Sequence, residues 1–333
     1  RIFNQEKLPP LEKINGTVAV LSGLSGNVYF HWMVDILPRL EILRLNGVNL
    51  EEIDWFLINS YEQEFQRETL RILGIPLEKV LESDRHPHIL ANKLIVPSYP
   101  GDLGWLPKWA LEFHRREFLN KVLPVSKLSI PDTSSYPERI YISRNRARYR
   151  RVLNEEEVTS LLSKYGFATI VPESIPWEEQ IALFAKAKAI VSPHGSGLTN
   201  IMFCQPGTKA IEFFSPHYIR HYYWVISQQL GLEHYYLKGE GFPCYPIREL
   251  MYPNPLTEDI LVNLNYLEEA MEKTGIIKKV PSLSKGGLRG DKITSQPLIE
   301  KVSPLSKRGL RGDKITSQPL KEAKRDRTAI NKN

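Results

Sequence analysis

From Thr17 to about Ile130, short apolar runs alternate with longer stretches of helical period. The runs 17–22, 54–59 and 92–98 (TVAVLS, DWFLIN, NKLIVPS) predict strands, and 27–46, 64–74 and 107–122 predict helices between them. Gly74, Pro76, Pro97 and Pro100 fall at the breaks. A Pro- and Ser-rich stretch at 123–139 reads as a linker. A second series follows, with strands at 139–144, 167–172, 189–193 and 209–214 and helices at 154–166, 176–187 and 196–207. Asn154 is the expected cap of the first of these helices, and 257–273 has the spacing of a closing amphipathic helix. Repeated strand-helix alternation predicts an α/β fold with layered sheets. The expected division is 1–130, 131–277 and a tail at 278–333. In that tail GLRGDKITSQPL occurs at 287–298 and again at 309–320, and with so little bulky apolar material it is expected to be disordered, a duplication without a role of its own.

Charge changes the picture only once it is divided by region. The net +6 arises in the tail, where 278–333 holds 15 Lys/Arg against 5 Asp/Glu, leaving 29 against 33 in the rest. A body near −4 is a poor general binder of nucleic acid, so that class is set aside. With 42% hydrophobic and 25% charged residues the chain has the balance of a soluble globular protein. The most apolar region, Val18 to Leu37, is too polar to span a membrane, because Ser22, Ser25, Asn27, His31 and Asp35 interrupt it. Two cysteines, Cys204 and Cys244, fit a reducing compartment better than a disulfide framework. A start at Arg1 without methionine suggests a fragment. The expected location is cytoplasmic, at the inner face of a membrane with peripheral association, or the secretory lumen if an anchor lies upstream. Oligomeric state is not legible.

Three stretches carry candidate chemistry. NVYFHWMVDILPRL (27–40) places His31 and Asp35 four residues apart, on one helix face, where they could point into a cleft or serve as an ion pair in packing. VSPHGSGLTN (191–200) runs from a strand through Gly195, Ser196 and Gly197 into a helix, so backbone N–H groups and a positive dipole end are offered to an anion. The competing reading of the glycines is a tight turn; His194, a ring donor just before it, points to the anion. Glu212, at the next strand end, is a candidate for the two hydroxyls of a ribose. SRNRARYRR (143–151) sets Arg144, Arg146, Arg148, Arg150 and Arg151 after a strand, suited to clamping phosphate, with Arg144 the first choice. No GxGxxG, Walker lysine or DxD occurs, which disfavours dehydrogenases, P-loop enzymes and a carboxylate pair for a nucleotide-bridging metal. His217 and His221 share helical spacing without an HExxH and read as surface or packing residues.

The segments 27–40, 139–151 and 170–214 together resemble the blocks of glycosyltransferase family 61, the capsular polysaccharide biosynthesis-like proteins, whose eukaryotic members include an EGF-domain O-linked N-acetylglucosamine transferase and plant xylosyltransferases. The resemblance implies a GT-B architecture, two Rossmann-like domains facing across a cleft. It implies an inverting, metal-independent hexosyl- or pentosyltransferase, with no cofactor, moving sugar from a nucleotide-sugar donor, UDP-linked, to a glycan or polysaccharide acceptor. On that basis Asp35 and His31 are the candidate catalytic pair. Asn27, Arg144, Arg148, His194, Gly195, Ser196, Gly197 and Glu212 are the candidate donor-binding residues. A catalytically silent nucleotide-sugar-binding or scaffold protein in an assembly complex is the alternative.

Overall fold

The apolar runs of the first half pair into a parallel sheet of order β3-β2-β1-β4, built from β1 (Glu12–Val20), β2 (Trp55–Ile58), β3 (Val80–Glu82) and β4 (Ile89–Ile95). This computed structural model describes residues 7–102, 105–123, 136–241, 244–278 and 300–301. β1 begins at Glu12 rather than Thr17, because Glu12, Lys13 and Ile14 pair with β4 before a register shift. Gly16 sits in that shift at φ 103, with the Asp54 side chain where a Cβ would be. Asp54 in turn accepts from the Thr17 N–H at 2.7 Å, so the bulge needs glycine for both conformation and space. The short β3 has no counterpart in the sequence reading.

The helix predicted at 27–46 forms in pieces: α1 (Tyr29–His31), a π turn (Trp32–Ile36) and α2 (Pro38–Leu45). Pro38 has no N–H to give Val34, and the Leu37 N–H reaches back to the Trp32 carbonyl at 3.0 Å instead of to Met33. The freed Met33 carbonyl is taken by His114 Nε2 at 2.5 Å, from the end of α4 (Lys108–His114). α3 (Glu64–Ile72) covers the same face, closed at its start by the reciprocal Gln63–Gln66 capping box.

The second sheet has the order β10-β9-β8-β7-β5-β6, with β5 (Arg139–Ile142), β6 (Ala168–Ile170), β7 (Ala189–Pro193), β8 (Lys209–Phe214) and β9 (Glu233–Lys238) all parallel. α5 (Glu155–Lys164), α6 (Trp177–Lys186), α7 (Tyr222–Leu230), α8 (Tyr245–Met251) and α9 (Leu264–Lys273) complete this half. Three expectations need correction. The helix expected at 196–207 is a 3₁₀ helix, Ser196–Phe203. Asn154 stands at the start of α5 but does not cap it; its amide bonds both the N–H and the carbonyl of Val262, at 3.0 and 2.8 Å. That tie, with the bridges Val152–Ile260 and Glu240–Leu261, holds the chain before α9 extended, so the helix starts at Leu264 rather than Thr257. α7, β9 and α8 were not anticipated. Most of the linker and the tail lie outside the described residues; within the tail, β10 (Glu300–Lys301) pairs antiparallel with β9.

The largest cluster of buried apolar side chains draws on both sheets, from Trp32, Phe56 and Phe118 to Phe184, Ile190 and Phe203. Trp177 sits at the junction, edge-on to Phe118 at 5.1 Å and to Phe203 at 6.5 Å. α1 meets the second half through Tyr29, bonded to Trp177 and Asn200, and Phe30, packed on Tyr222 and Tyr223. Among the described residues no helix is long and apolar enough to cross a membrane.

Candidate active site

β7 is buried along its whole length, so the polar residues that follow it emerge at the carboxyl edge of the sheet. Gly195 is extended, φ 174, a backbone any residue could adopt; the Arg144 guanidinium occupies the place of its Cβ, so a larger residue here would displace that side chain. Arg144 leaves the end of β5 and donates to the carbonyls of Tyr149 and Arg150, at 3.1 and 3.3 Å. Arg150 follows at φ 56, in the left-handed region, its side chain over the rings of Tyr149 and Tyr218 and its Nε without a partner. Neither guanidinium has a carboxylate partner among the described residues. Burial, with the charge of Arg150 added, holds Arg144 below its usual range. The first hydrogen bond of the 3₁₀ helix runs from Leu198 N–H to Gly195 O, so the amides of Ser196 and Gly197 lie ahead of it, next to Gly195, against which the Arg144 guanidinium rests.

Not all of the arginine cluster belongs here. Arg146 and Arg148 are exposed on the loop, and Arg151 pairs with Asp259 at 2.9 Å. Of the alternating arginines it is Arg150, not Arg148, that turns inward beside Arg144. The residue was quoted in the motif but not singled out, since nothing in the local sequence says which of alternating arginines turns inward.

Glu212 also departs from expectation. It is 1% exposed, and its two oxygens are taken by His194 Nδ1 and, at 2.9 Å, by His234 Nε2, whose other nitrogen meets Ser227 Oγ at 2.9 Å. A carboxylate with both oxygens so occupied orients imidazoles; it is not open to a ribose. Burial raises the Glu212 carboxyl, but the charges and hydrogen bonds of His194 and His234 outweigh this and hold it below the ordinary range. His194 is held low mainly by burial, countered by Glu212 and reinforced by Arg150 and Arg144. Glu212 thus holds His194 through Nδ1, while burial disfavours the protonated imidazole.

From the other half, His31 Nδ1 meets Asp35 Oδ2 at 2.6 Å, with both side chains partly accessible at 25% and 18%. Phe30, between them and the second half, stacks on Tyr222 at 5.3 Å and lies edge-on to Tyr223 at 5.7 Å. The same two tyrosines flank His194, at 6.2 and 5.2 Å. One aromatic cluster thus separates and aligns the two histidine-carboxylate pairs. Tyr29 fixes α1: its hydroxyl accepts from Trp177 Nε1 at 2.9 Å and donates to Asn200 Oδ1 at 2.5 Å, and Asn200 donates onward to Gln180 at 2.9 Å. Asn27 is exposed on the loop before α1. Ser196 and Gly197 line a cleft of about 310 Å³ with Tyr29, Phe65, Glu173 and Trp177. His217 Nδ1 is paired with Glu258 at 2.9 Å, a packing role. Among the described residues no three His, Cys, Asp or Glu side chains converge as a metal site requires.

A family model described as Glycosyltransferase 61 matches residues 29–211, more than half of the chain. The chain belongs to glycosyltransferase family 61. The matched span begins at Tyr29 in α1 and ends beside Glu212, so it encloses both arginines, the glycine loop and the His31–Asp35 pair. The chain is also similar to the EGF domain-specific O-linked N-acetylglucosamine transferase of Drosophila melanogaster, 36% identical over 78 residues, which cover 22% of this chain and 15% of that protein. His234 and Ser227 lie beyond the family match and carry no motif; the pairing of β9 beside β8 brings His234 to Glu212, and α7 sets Ser227 behind it.

Proposed function

We propose that this chain is an inverting glycosyltransferase of GT-B arrangement that moves a sugar from a nucleoside diphosphate donor, UDP-linked, to a hydroxyl of a glycan or polysaccharide. The observation that carries this reading is the convergence of two carboxylate-free guanidiniums, Arg144 and Arg150, with two histidine-carboxylate pairs about one aromatic cluster. Family membership supports the transferase class, and two parallel sheets meeting beside a cleft are compatible with GT-B.

In this reading the diphosphate lies against Arg144, Arg150 and the amides of Ser196 and Gly197, where fixed positive groups stabilise the charge that develops as the sugar–phosphate bond breaks. Asp35 accepts from His31 Nδ1–H and so leaves Nε2 to take the proton of the acceptor hydroxyl as its oxygen attacks the anomeric carbon. His31 suits this role better than His194, which is 3% exposed and out of reach of a bulky acceptor. His194, whose protonated form burial disfavours in the free protein, takes up a proton from solvent when a phosphate arrives and donates to it from Nε2, while Glu212 holds its other nitrogen. Two guanidiniums and the helix amides can neutralise the leaving group, so transfer is expected to proceed without a divalent cation. A hydrogen-bonded, partly accessible His31–Asp35 pair favours the enzyme over a silent binding protein. Release of nucleotide from a panel of UDP-, GDP- and CMP-sugars, with and without oligosaccharide acceptors, tests the proposal. Binding without any turnover would leave the silent binder.

A further inference from the structure

A nucleoside diphosphate sugar has two ends, and the residues around the diphosphate face two different surroundings. On one side lie Tyr222, His194 and the His31–Asp35 pair, where the sugar must be if the acceptor is to be deprotonated as it attacks. On the other lies the cleft of about 310 Å³, near the lower bound of small-molecule sites, roughly 300 Å³. Ser196 and Gly197 belong to both the amide end and this cleft, so it starts where the diphosphate stops. Its walls are aromatic, Tyr29 edge-on to Phe65 at 5.0 Å and joined through its hydroxyl to Trp177 Nε1 at 2.9 Å. Its rim is the turn 172–175, which Gln180 pins by donating to the carbonyls of Pro172 and Ile175, at 2.8 and 2.9 Å. On that pinned turn Glu173 is exposed, and no hydrogen bond or ion pair engages its carboxylate among the described residues.

We infer that this cleft takes the ribonucleoside of the donor, with the Glu173 carboxylate accepting from the ribose hydroxyls and the Tyr29–Phe65 edge packing against the base. The chemistry matches at both ends of the nucleoside. A vicinal diol offers two donors to the two oxygens of a carboxylate, and a planar base gains from aromatic walls. Glu212, the acidic residue at the neighbouring strand end, is buried between two histidines and cannot serve. Glu173 also lies close enough for its charge to act on Arg144, as one ligand spanning both requires. The inference rests on the nucleotide-sugar reading above.

The test is calorimetry on the full chain, wild type and Glu173→Gln, with UDP, 2′-deoxy-UDP and inorganic pyrophosphate; GDP, ADP and CDP identify the base first, and the tightest replaces UDP if needed. Glu173→Gln keeps the size of an exposed side chain, and its melting temperature is measured alongside. Wild type should prefer the ribo- over the 2′-deoxy ligand by about tenfold, the loss expected for one charge-assisted hydrogen bond. The variant should bind UDP about tenfold or more weakly, lose that preference and keep its affinity for pyrophosphate. A variant that binds UDP as wild type does, keeps the ribose preference, or loses pyrophosphate in parallel overturns the assignment. A raised KM for acceptor with unchanged UDP affinity does so too, and makes the cleft an acceptor site. If the folded wild type binds no nucleoside diphosphate at all, the donor reading falls and this inference with it; if it binds one and the variant is silent, only the inference falls.

Discussion

Arg150 offers a sharp separation of binding from folding. At φ 56 a non-glycine residue costs roughly 1 kcal/mol, and here the strained residue is 9% exposed and its guanidinium has an unpartnered Nε and sits beside the like charge of Arg144. What it gives back to the fold is its contact with the rings of Tyr149 and Tyr218, about 0.5–1 kcal/mol. Arg150→Gly relieves the strain and the uncompensated charge, loses the ring contact, and adds unfolded-chain freedom costing roughly 0.5–1 kcal/mol. These terms nearly cancel, so the melting temperature should move by no more than about 3 °C. A phosphate ligand, by contrast, loses a charge-assisted contact of about 1.5–3 kcal/mol, a fall in affinity of about 10- to 150-fold. Thermal unfolding paired with calorimetric titration of UDP measures both. Unchanged UDP affinity with stability lowered by about 2 kcal/mol or more would make Arg150 structural and refute the phosphate site.

Because burial, reinforced by Arg150 and Arg144, lowers His194 in the free protein and a bound diphosphate raises it again, UDP affinity should increase as pH falls from 8 towards 6 relative to His194→Gln. Equal pH profiles in the two proteins would show that His194 does not titrate on binding. His114 is buried with its value lowered to about 4 from the ordinary 6.5. The unfolded chain therefore takes up this proton first, so its contribution is intact above about 6.5 and is lost as pH falls towards 4, at about 1.4 kcal/mol per unit. Replacing His114 by Gln should flatten the stability profile in that window, and an unaltered slope in urea unfolding would contradict this. Transfer should survive EDTA, and loss of turnover on chelation restored by Mn²⁺ would disprove the metal-free leaving-group stabilisation.

The strands were legible wherever an apolar run is buried on both faces, as in AIVSP and KAIEFF, because period and composition then agree. Pieces were lost where tertiary contacts override local signals. Asn154 looks like a cap and serves Val262 instead; residues before α9 have helical spacing but are claimed by bridges to distant segments. The π turn follows from Pro38 only once His114 is seen to take the released carbonyl. Within the site, His31 with Asp35 and Arg144 with the glycine loop could be read from spacing, since their partners are close in sequence or at adjacent strand ends. Arg150 over Arg148, and His234 behind Glu212, depend on a backbone in the left-handed region and on strand order, neither of which a single sequence displays.

The central claim is that the His31–Asp35 pair removes a proton from an acceptor while the second half holds a nucleotide sugar. Asp35→Asn keeps volume and most hydrogen-bonding capacity but removes the carboxylate that accepts from His31 Nδ1–H. Steady-state transfer from the nucleotide sugar that binds tightest, measured for wild type and Asp35→Asn beside nucleotide affinity and melting temperature, tests it most directly. The account predicts turnover by wild type and a fall in kcat of about 100-fold or more in the variant, with affinity and stability nearly unchanged. Transfer by Asp35→Asn at the wild-type rate, or a variant that loses stability in place of turnover, would contradict it.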